Sequence, residues 1–317
     1  MALTRVARTA AATLTHTFEV GDQVTDSSTT VTVSVVDAGG AAVSSGNATS
    51  AGAGTGRYTY ALPGQASLGL LTASWSGTIA GAAVVETGTV EIAGGFFFGL
   101  ARLRNSDTSL GDPAQYTADE LALARLETEV ECETICDRAF VPRYGRVVLN
   151  GTGTTDLVIP DADLRTVRAA RISPAAGEAY VELTAGELAA LQLIGGRELR
   201  RADGEGWTLG TGNVLIEYEH GLDAPPEDLR RAALVRARTR LNIPRSGIPD
   251  RATSFTVGEG GTFRLDLPGP YKTGLPDVDA VYGRYSLRSG AGGRKVPASR
   301  PWNLDPQYGS LFHGGTR

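Results

Sequence analysis

The residues able to do chemistry in this 317-residue chain are few and scattered. Its three histidines, His16, His220 and His313, lie far apart, and a Ser-His-Asp or Cys-His arrangement would have to recruit one of them. His220 has Glu219 and Asp223 beside it, but neighbours on a strand point to opposite faces, so it reads as a turn histidine rather than an acid–base or metal site. Cys132 and Cys136 stand four apart on a predicted helix with no histidine nearby. They form neither a zinc set nor a disulfide framework, and are expected to be small core residues in a reducing compartment. Gly151-Thr152-Gly153 and Gly204-Glu205-Gly206 precede no predicted helix and lack the Lys-Ser/Thr of a phosphate loop. Asp161-x-Asp163 and Asp277-x-Asp279 lack the rest of a calcium loop. The expectation is no catalytic residue, no cofactor and no metal: not an enzyme, with function residing in architecture.

Composition narrows that architecture. Hydrophobic content of 41% supports a buried core over two or three domains, and 41 glycines with only 7% aromatics point to short strands and many turns. A net charge of −5 argues against a general nucleic-acid binder, which holds phosphates with clustered basic charge. No run reaches the roughly 18 apolar residues of a membrane helix, and the polar stretch after Arg5 and Arg8 does not form a signal-peptide core. A soluble chain, intracellular at synthesis and without membrane contact, is expected.

Residues 1–94 alternate with period two, as in Val31, Val33 and Val35, then Tyr58 and Tyr60, between Gly, Ser and Pro clusters. They predict an all-β sandwich that resembles immunoglobulin-like modules. Gly94 and Gly95 followed by Phe96, Phe97 and Phe98 mark a domain junction, where the rings either plug the seam or meet a partner. Residues 95–288 predict an α+β domain with two main helices and an inserted β-sheet. The first helix opens on the capping box Thr117-Ala118-Asp119-Glu120 and buries Leu121, Ala124, Thr128, Cys132, Ile135 and Ala139, leaving Glu127, Glu129, Glu131 and Glu133 on a solvated or subunit-facing surface. A short helix from Thr184 through Leu193 and strands at Trp207 and Val214–Tyr218 follow. The second main helix opens at Pro225-Pro226-Glu227-Asp228 and buries Leu229, Ala233, Ala237 and Leu241. Its arginines, Arg230, Arg231, Arg236, Arg238 and Arg240, suit DNA phosphates or an acidic helix of the same or a neighbouring subunit; the acidic whole favours the protein partner. Residues 289–317 read as an extended arm whose Trp302, Tyr308, Leu311 and Phe312 would order on a partner.

Four blocks, taken in order, resemble the head-to-tail adaptor (connector) proteins of long-tailed bacteriophages. They are Cys136-Asp137-Arg138-Ala139-Phe140-Val141-Pro142-Arg143; Leu149-Asn150-Gly151-Thr152-Gly153 with Leu157-Val158-Ile159-Pro160; Glu217-Tyr218-Glu219-His220-Gly221 leading to Pro226-Glu227-Asp228-Leu229; and Ile248-Pro249-Asp250-Arg251-Ala252-Thr253 with Gly274-Leu275-Pro276-Asp277-Val278-Asp279-Ala280, whose Gly-Leu-Pro-Asp-Val-Asp reads as a turn. The resemblance implies a virion neck protein: a ring homo-oligomer, commonly dodecameric, joining the portal protein to a stopper or tail terminator and lining the channel in passive contact with genomic DNA. On that reading Glu127, Glu131, Arg230, Arg231, Arg236 and Arg238 meet between subunits, and the 289–317 arm binds the portal. A different class of function, a surface adhesin or glycan-binding protein, would act through the N-terminal sandwich and needs an aromatic sugar platform, for which Trp75 and Tyr58 are the candidates.

Overall fold

The structure, a computed structural model, describes residues 3–175, 177–245, 254–257, 261–264, 269 and 271–288. The arm residues Trp302, Tyr308, Leu311 and Phe312, His313, and the Ile248–Thr253 half of the fourth block lie outside the described residues. The chain forms two compact units. One holds the described residues up to Glu129 together with Val141–Tyr144; the other holds Val130–Phe140 and those from Gly145 onward. The first unit thus extends past residue 94, where the sequence reading sets its boundary.

In the first unit, alternating apolar residues build ten strands: β1 (Leu3–Ala7), β2 (Ala12–Thr17), β3 (Glu19–Val20), β4 (Gln23–Val24), β5 (Thr32–Asp37), β6 (Ala42–Asn47), β7 (Thr49–Ser50), β8 (Arg57–Leu62), β9 (Gly69–Ile79) and β10 (Ala82–Ala93). One sheet runs β1-β10-β9-β5-β6, with β1 parallel to β10; a second runs β2-β8-β7, and β3 and β4 form a hairpin. Both larger sheets bury their apolar face in one core that includes Val33, Val35, Leu14, Tyr60, Leu71 and Ile92, the two-layer solution that period-two patterning demands. Trp75 and Tyr58 belong to that core, at 2% and 6% exposure. Neither ring is available as a sugar platform, which removes the residues on which the glycan reading depends.

The chain then continues through α1 (Leu100–Arg104) into α2 (Ala118–Cys136), whose first twelve residues belong to the first unit and whose remainder belongs to the second. The capping box forms: Thr117 N donates to Glu120 Oε2 at 2.8 Å and Glu120 N to Thr117 Oγ1 at 3.2 Å. All six residues predicted to line the buried face are buried, although Ala139 lies beyond the helix, which ends at Cys136, and Leu121 and Ile135 each gain roughly 1.5–3 kcal/mol from leaving water. Gly94 serves close approach rather than freedom: a Cβ there would sit 2.6 Å from the Pro142 ring, and its N–H donates to the Pro142 carbonyl.

The second unit contains β11 (Arg143–Gly151, whose first two residues belong to the first unit), β12 (Asp156–Val158), β13 (Leu164–Ile172), β14 (Val181–Glu182), α3 (Ala185–Ala189), β15 (Leu191–Ile194), β16 (Glu198–Arg201), β17 (Gly210–His220), α4 (Glu227–Asn242), β18 (Ser254–Val257), β19 (Gly261–Arg264) and α5 (Pro276–Tyr285). The sheets β11-β17-β13-β14 and β12-β16-β15 share a core around Trp207, Ile216, Leu199 and Tyr218; β18 and β19 form a hairpin. Three expectations are corrected. The short helix stops at Ala189, because Leu191 and Leu193 pair with Arg201 and Leu199 of β16 as a strand. Trp207 lies in a loop, pinned by backbone bonds to Gly153 and Thr154 and by its own Nε1 on the Thr155 carbonyl at 3.0 Å. The Leu-Pro-Asp-Val-Asp stretch, read as a turn, opens a third substantial helix, α5, with Pro276 in its first turn and Val278 and Tyr282 buried four residues apart.

Candidate functional site

The sequence offers two groups of candidates, the charged helix faces and the phenylalanine junction, and the structure separates their fates. On α4, Leu229, Ala233, Ala237 and Leu241 face inward as predicted, which turns the arginines toward acids. Arg236 makes two hydrogen bonds to Glu131, at 2.7 and 2.8 Å, and Arg240 adds a third contact at 3.1 Å. Arg230 pairs with Glu227 at 2.9 Å, and Arg231, largely exposed, lies 4.0 Å from the same carboxylate. Glu127 is exposed and Arg238 half-buried. The sequence reading allows an acidic partner from the same or a neighbouring chain; for Glu131 and Arg236 the same chain supplies it. Burial pushes the Glu131 carboxyl up, and the Arg236 and Arg240 contacts more than offset it, so the group sits below the usual glutamate range.

The last turns of α2 and the start of α4 both meet the end of α5 and the residues just after it. Cys136 Sγ contacts the Tyr282 carbonyl at 3.4 Å, Tyr285 Oη donates to Asp228 Oδ1 at 2.8 Å, Ser286 Oγ donates to the Ile135 carbonyl, and Leu287 N to the Cys136 carbonyl. Burial drives the Cys132 thiol well above its ordinary range, as expected for a core residue and the opposite of what a nucleophile or thiolate ligand requires. Asp137 ends α2 with a φ of 57° and accepts from Arg288, while the next residue, Arg138, grips Asp163 through two bonds of 2.8 and 2.7 Å. His220 ends β17 with its ring 5.6 Å from that of Tyr218. The Tyr218 hydroxyl in turn bonds Asp161, and burial together with that carboxylate raises its pKa.

On the outer side of β17, Glu217 and Glu219 alternate with the buried Ile216 and Tyr218. Arg146 and Arg171 reach Glu217, Arg168 reaches Glu219, and Arg171 also lies 3.6 Å from Glu182. This charged sheet face is largely self-neutralised, a surface suited to pairing with another polar surface and not to gripping phosphates.

The phenylalanine junction is internal to the first unit. Phe97 and Phe98 are buried, and Phe96 carries the Arg125 guanidinium 3.4 Å above its ring. Glu129, expected on the solvated face of α2, is fully buried and accepts from Arg5 Nη1 at 2.6 Å and from Phe97 N at 2.8 Å. It is correspondingly not part of the acidic surface. Arg5 also binds Glu91 at 3.1 Å, and Arg143 binds the other oxygen of Glu91. Sequence reasoning missed this ionic cluster, though Arg5 beside Val6 and Glu91 between Val90 and Ile92 are charges set in apolar strands, which is the available signal. His16, far from any other histidine in sequence, packs on Trp75 and contacts Glu86 at 3.1 Å; burial holds its pKa below the usual value despite that carboxylate.

No family model matches the chain, and no curated protein matches it. Among solved structures, it is similar to a chain in the neck of an empty gene transfer agent particle computed with C6 symmetry, at 18% identity over 60% of this chain and 89% of that one, with a TM-score of 0.39. A chain from the virion of a native gene transfer agent particle aligns at 17% identity over 62% and 94%, with a TM-score of 0.41. A third, from the neck of the native particle computed with C12 symmetry, aligns at 19% over 59% and 87%, with a TM-score of 0.36.

Proposed function

We propose that the chain is a structural neck protein of a tailed, phage-like particle, an adaptor that assembles into a ring between the portal and the stopper or tail terminator and surrounds the DNA exit path. The observation carrying this reading is the convergence of the sequence blocks that resemble phage adaptors. Apart from Val141–Arg143, their described parts fall in one compact unit. There the Cys136 end of α2, the Asp228 start of α4 and the α5 helix opened by Pro276 bond to one another across 57 to 151 residues of sequence. Segments resembling one family thus form one module.

Charge supports the same reading. On α4, Arg230 and Arg231 lie at Glu227, and Arg236 and Arg240 at Glu131, and the net charge of −5 leaves little to hold DNA as it passes. The exposed Glu127 and Arg231 are opposite in sign, and a head-to-tail interface that closes into a ring needs such complementary patches. The arm with Trp302, Tyr308, Leu311 and Phe312 is the proposed portal anchor.

Negative-stain electron microscopy of the purified chain, alone and mixed with the portal-containing head fraction of its source, tests this. Rings, or chains seated at the portal vertex, are the expected result; monomers that ignore the portal would overturn the proposal. Deleting residues 289–317 should abolish portal binding while leaving the helical module folded.

A further inference from the structure

The sheet β11-β17-β13-β14 gathers exposed apolar side chains at one end. β13 is antiparallel to both β17 and β14, with Ile172 opposite Val214 and Val181, and Gly151 at the end of β11 lies against Thr208 and Asn213. The end of β11, the approach to β17 and the start of β14 therefore come together. Val148, Tyr180, Val181 and Leu209 lie there, between 40% and 61% exposed. Gly212 joins them: the Tyr180 hydroxyl donates to its carbonyl at 2.6 Å, and a Cβ on it would touch a Val148 methyl at 3.8 Å. Single exposed apolar side chains are ordinary, but four at one sheet end mark a contact surface.

The rim of that surface is acidic. Glu178 precedes Tyr180, and Glu205 precedes Gly206, which packs on Gly153 and so beside Leu209. Both carboxylates belong to exposed residues and make no ion pair among the described residues. The nearby bases Arg171, Arg200 and Arg201 are already engaged by carboxylates. An apolar centre with a negative rim fits a basic segment that carries aromatic anchors.

Residues 289–317 have that composition: Arg294, Lys295, Arg300 and Arg317 against the single acid Asp305, with Trp302, Tyr308, Leu311 and Phe312. Where this arm starts is fixed by the residues before it. Leu287 N donates to the Cys136 carbonyl and Arg288 pairs with Asp137, while the next residue, Arg138, binds Asp163, whose carbonyl accepts from Gly221 just beyond β17. The root thus lies at the His220 end of β17 and the apolar surface at the Gly210 end. The 11 residues of β17 cover about 35 Å, and residues 289–301 reach about 45 Å when extended. Trp302 can therefore arrive at the surface of its own chain, where tethering supplies a roughly millimolar local concentration and populates even a weak contact.

We infer that the surface of Val148, Tyr180, Val181 and Leu209 seats the chain's own 289–317 arm, with the arm's aromatic side chains on the apolar centre and its cations at Glu178 and Glu205. The inference deepens the neck reading and rests on it in one respect: the proposed portal anchor is held here until the portal displaces it.

Acrylamide quenching of tryptophan fluorescence in the isolated full chain tests the seat with no portal present. Trp75 and Trp207 are buried, and Trp302→Phe measures their contribution. The remaining Trp302 signal should be shielded, with a quenching constant several-fold below that of free indole, and Val148→Asp or Leu209→Asp should raise that constant several-fold. Glu178→Lys combined with Glu205→Lys should raise it too; both positions are exposed, so this variant decides if the apolar ones do not fold. Val85→Asp, at an exposed position of the first unit, should leave it unchanged. A Trp302 as accessible as free indole, or one whose shielding survives both the apolar and the charge-reversal variants, would overturn the inference. Failure of the seat is distinguishable from failure of the neck reading: portal binding by a chain with unshielded Trp302 sinks the seat alone, and shielded Trp302 in a chain that ignores the portal sinks the neck reading alone.

Discussion

Arg236 holds Glu131 through two parallel hydrogen bonds, Nε to Oε2 at 2.7 Å and Nη2 to Oε1 at 2.8 Å, joining residues 105 apart in sequence. Both side chains are largely buried, at 12% and 21% exposure, and Arg240 approaches the same carboxylate. The pair fastens the last turns of α2 to α4. It therefore belongs to the stability of the module, whatever contacts the module makes with its neighbours.

Glu131→Ala should destabilise the second unit by about 2–3 kcal/mol, somewhat under the cost of breaking a fully buried pair because residual exposure screens the stranded arginines. Urea unfolding with a double-mutant cycle against Arg236→Ala measures the coupling. A loss below about 0.5 kcal/mol would mark the pair as an ordinary surface contact.

The same carboxylate predicts a pH dependence. Its folded pKa lies below the unfolded value, so its stabilisation is fully present above the ordinary glutamate range and is lost as pH falls through the depressed folded value. The urea midpoint of the native chain should fall across that acidic window, and Glu131→Gln should flatten part of the fall. Parallel curves for the two proteins would refute this.

Much of the frame was open to a reader of the sequence. Helices α2 and α4 announce themselves through a capping box or a proline start and through apolar residues at helical spacing, and every position predicted on their inner faces is buried. The valines of β5 declare themselves by period two. Helix α5 is hidden because its ten residues open on Pro276 between two acids, a pattern that also suits a turn, and only the Val278–Tyr282 spacing betrays it. Glu129 is illegible for another reason: local pattern places a glutamate outside, and its partner Arg5 lies 124 residues away. Long-range ion pairs leave no periodic trace.

Gly151, within the second block, has no positive φ to explain it. A Cβ there would sit 1.7 Å from the Thr208 carbonyl oxygen, where the Trp207 loop crosses β11, and its N–H donates to Asn213 Oδ1 at 2.8 Å. Gly151→Ala should thus push the loop off the sheet and loosen Trp207, with a cost of about 1–3 kcal/mol or more for overpacking. Hydrogen exchange at residues 207–213 should accelerate; Gly186→Ala, in open space on α3, should not change it.

Glu129 poses the last test, because it governs how the chain can be divided. Removing its charge takes from Arg5 one of its two carboxylates and from the Phe97 amide its acceptor, and breaking a buried pair of this kind costs about 3–5 kcal/mol. Glu129→Ala should accordingly lower the calorimetric transition of the first unit more than Glu131→Ala lowers that of the second. Truncation to residues 95–317 takes away Arg5 and Glu91 together and leaves Glu129 buried against the Phe97 amide without its guanidinium. Such a fragment should be less stable than the full chain, and ring assembly by it would have to be judged beside a fragment cut after α2. If residues 95–317 instead melt like the intact protein, the ionic cluster is dispensable and the boundary expected at residue 94 is the right place to cut.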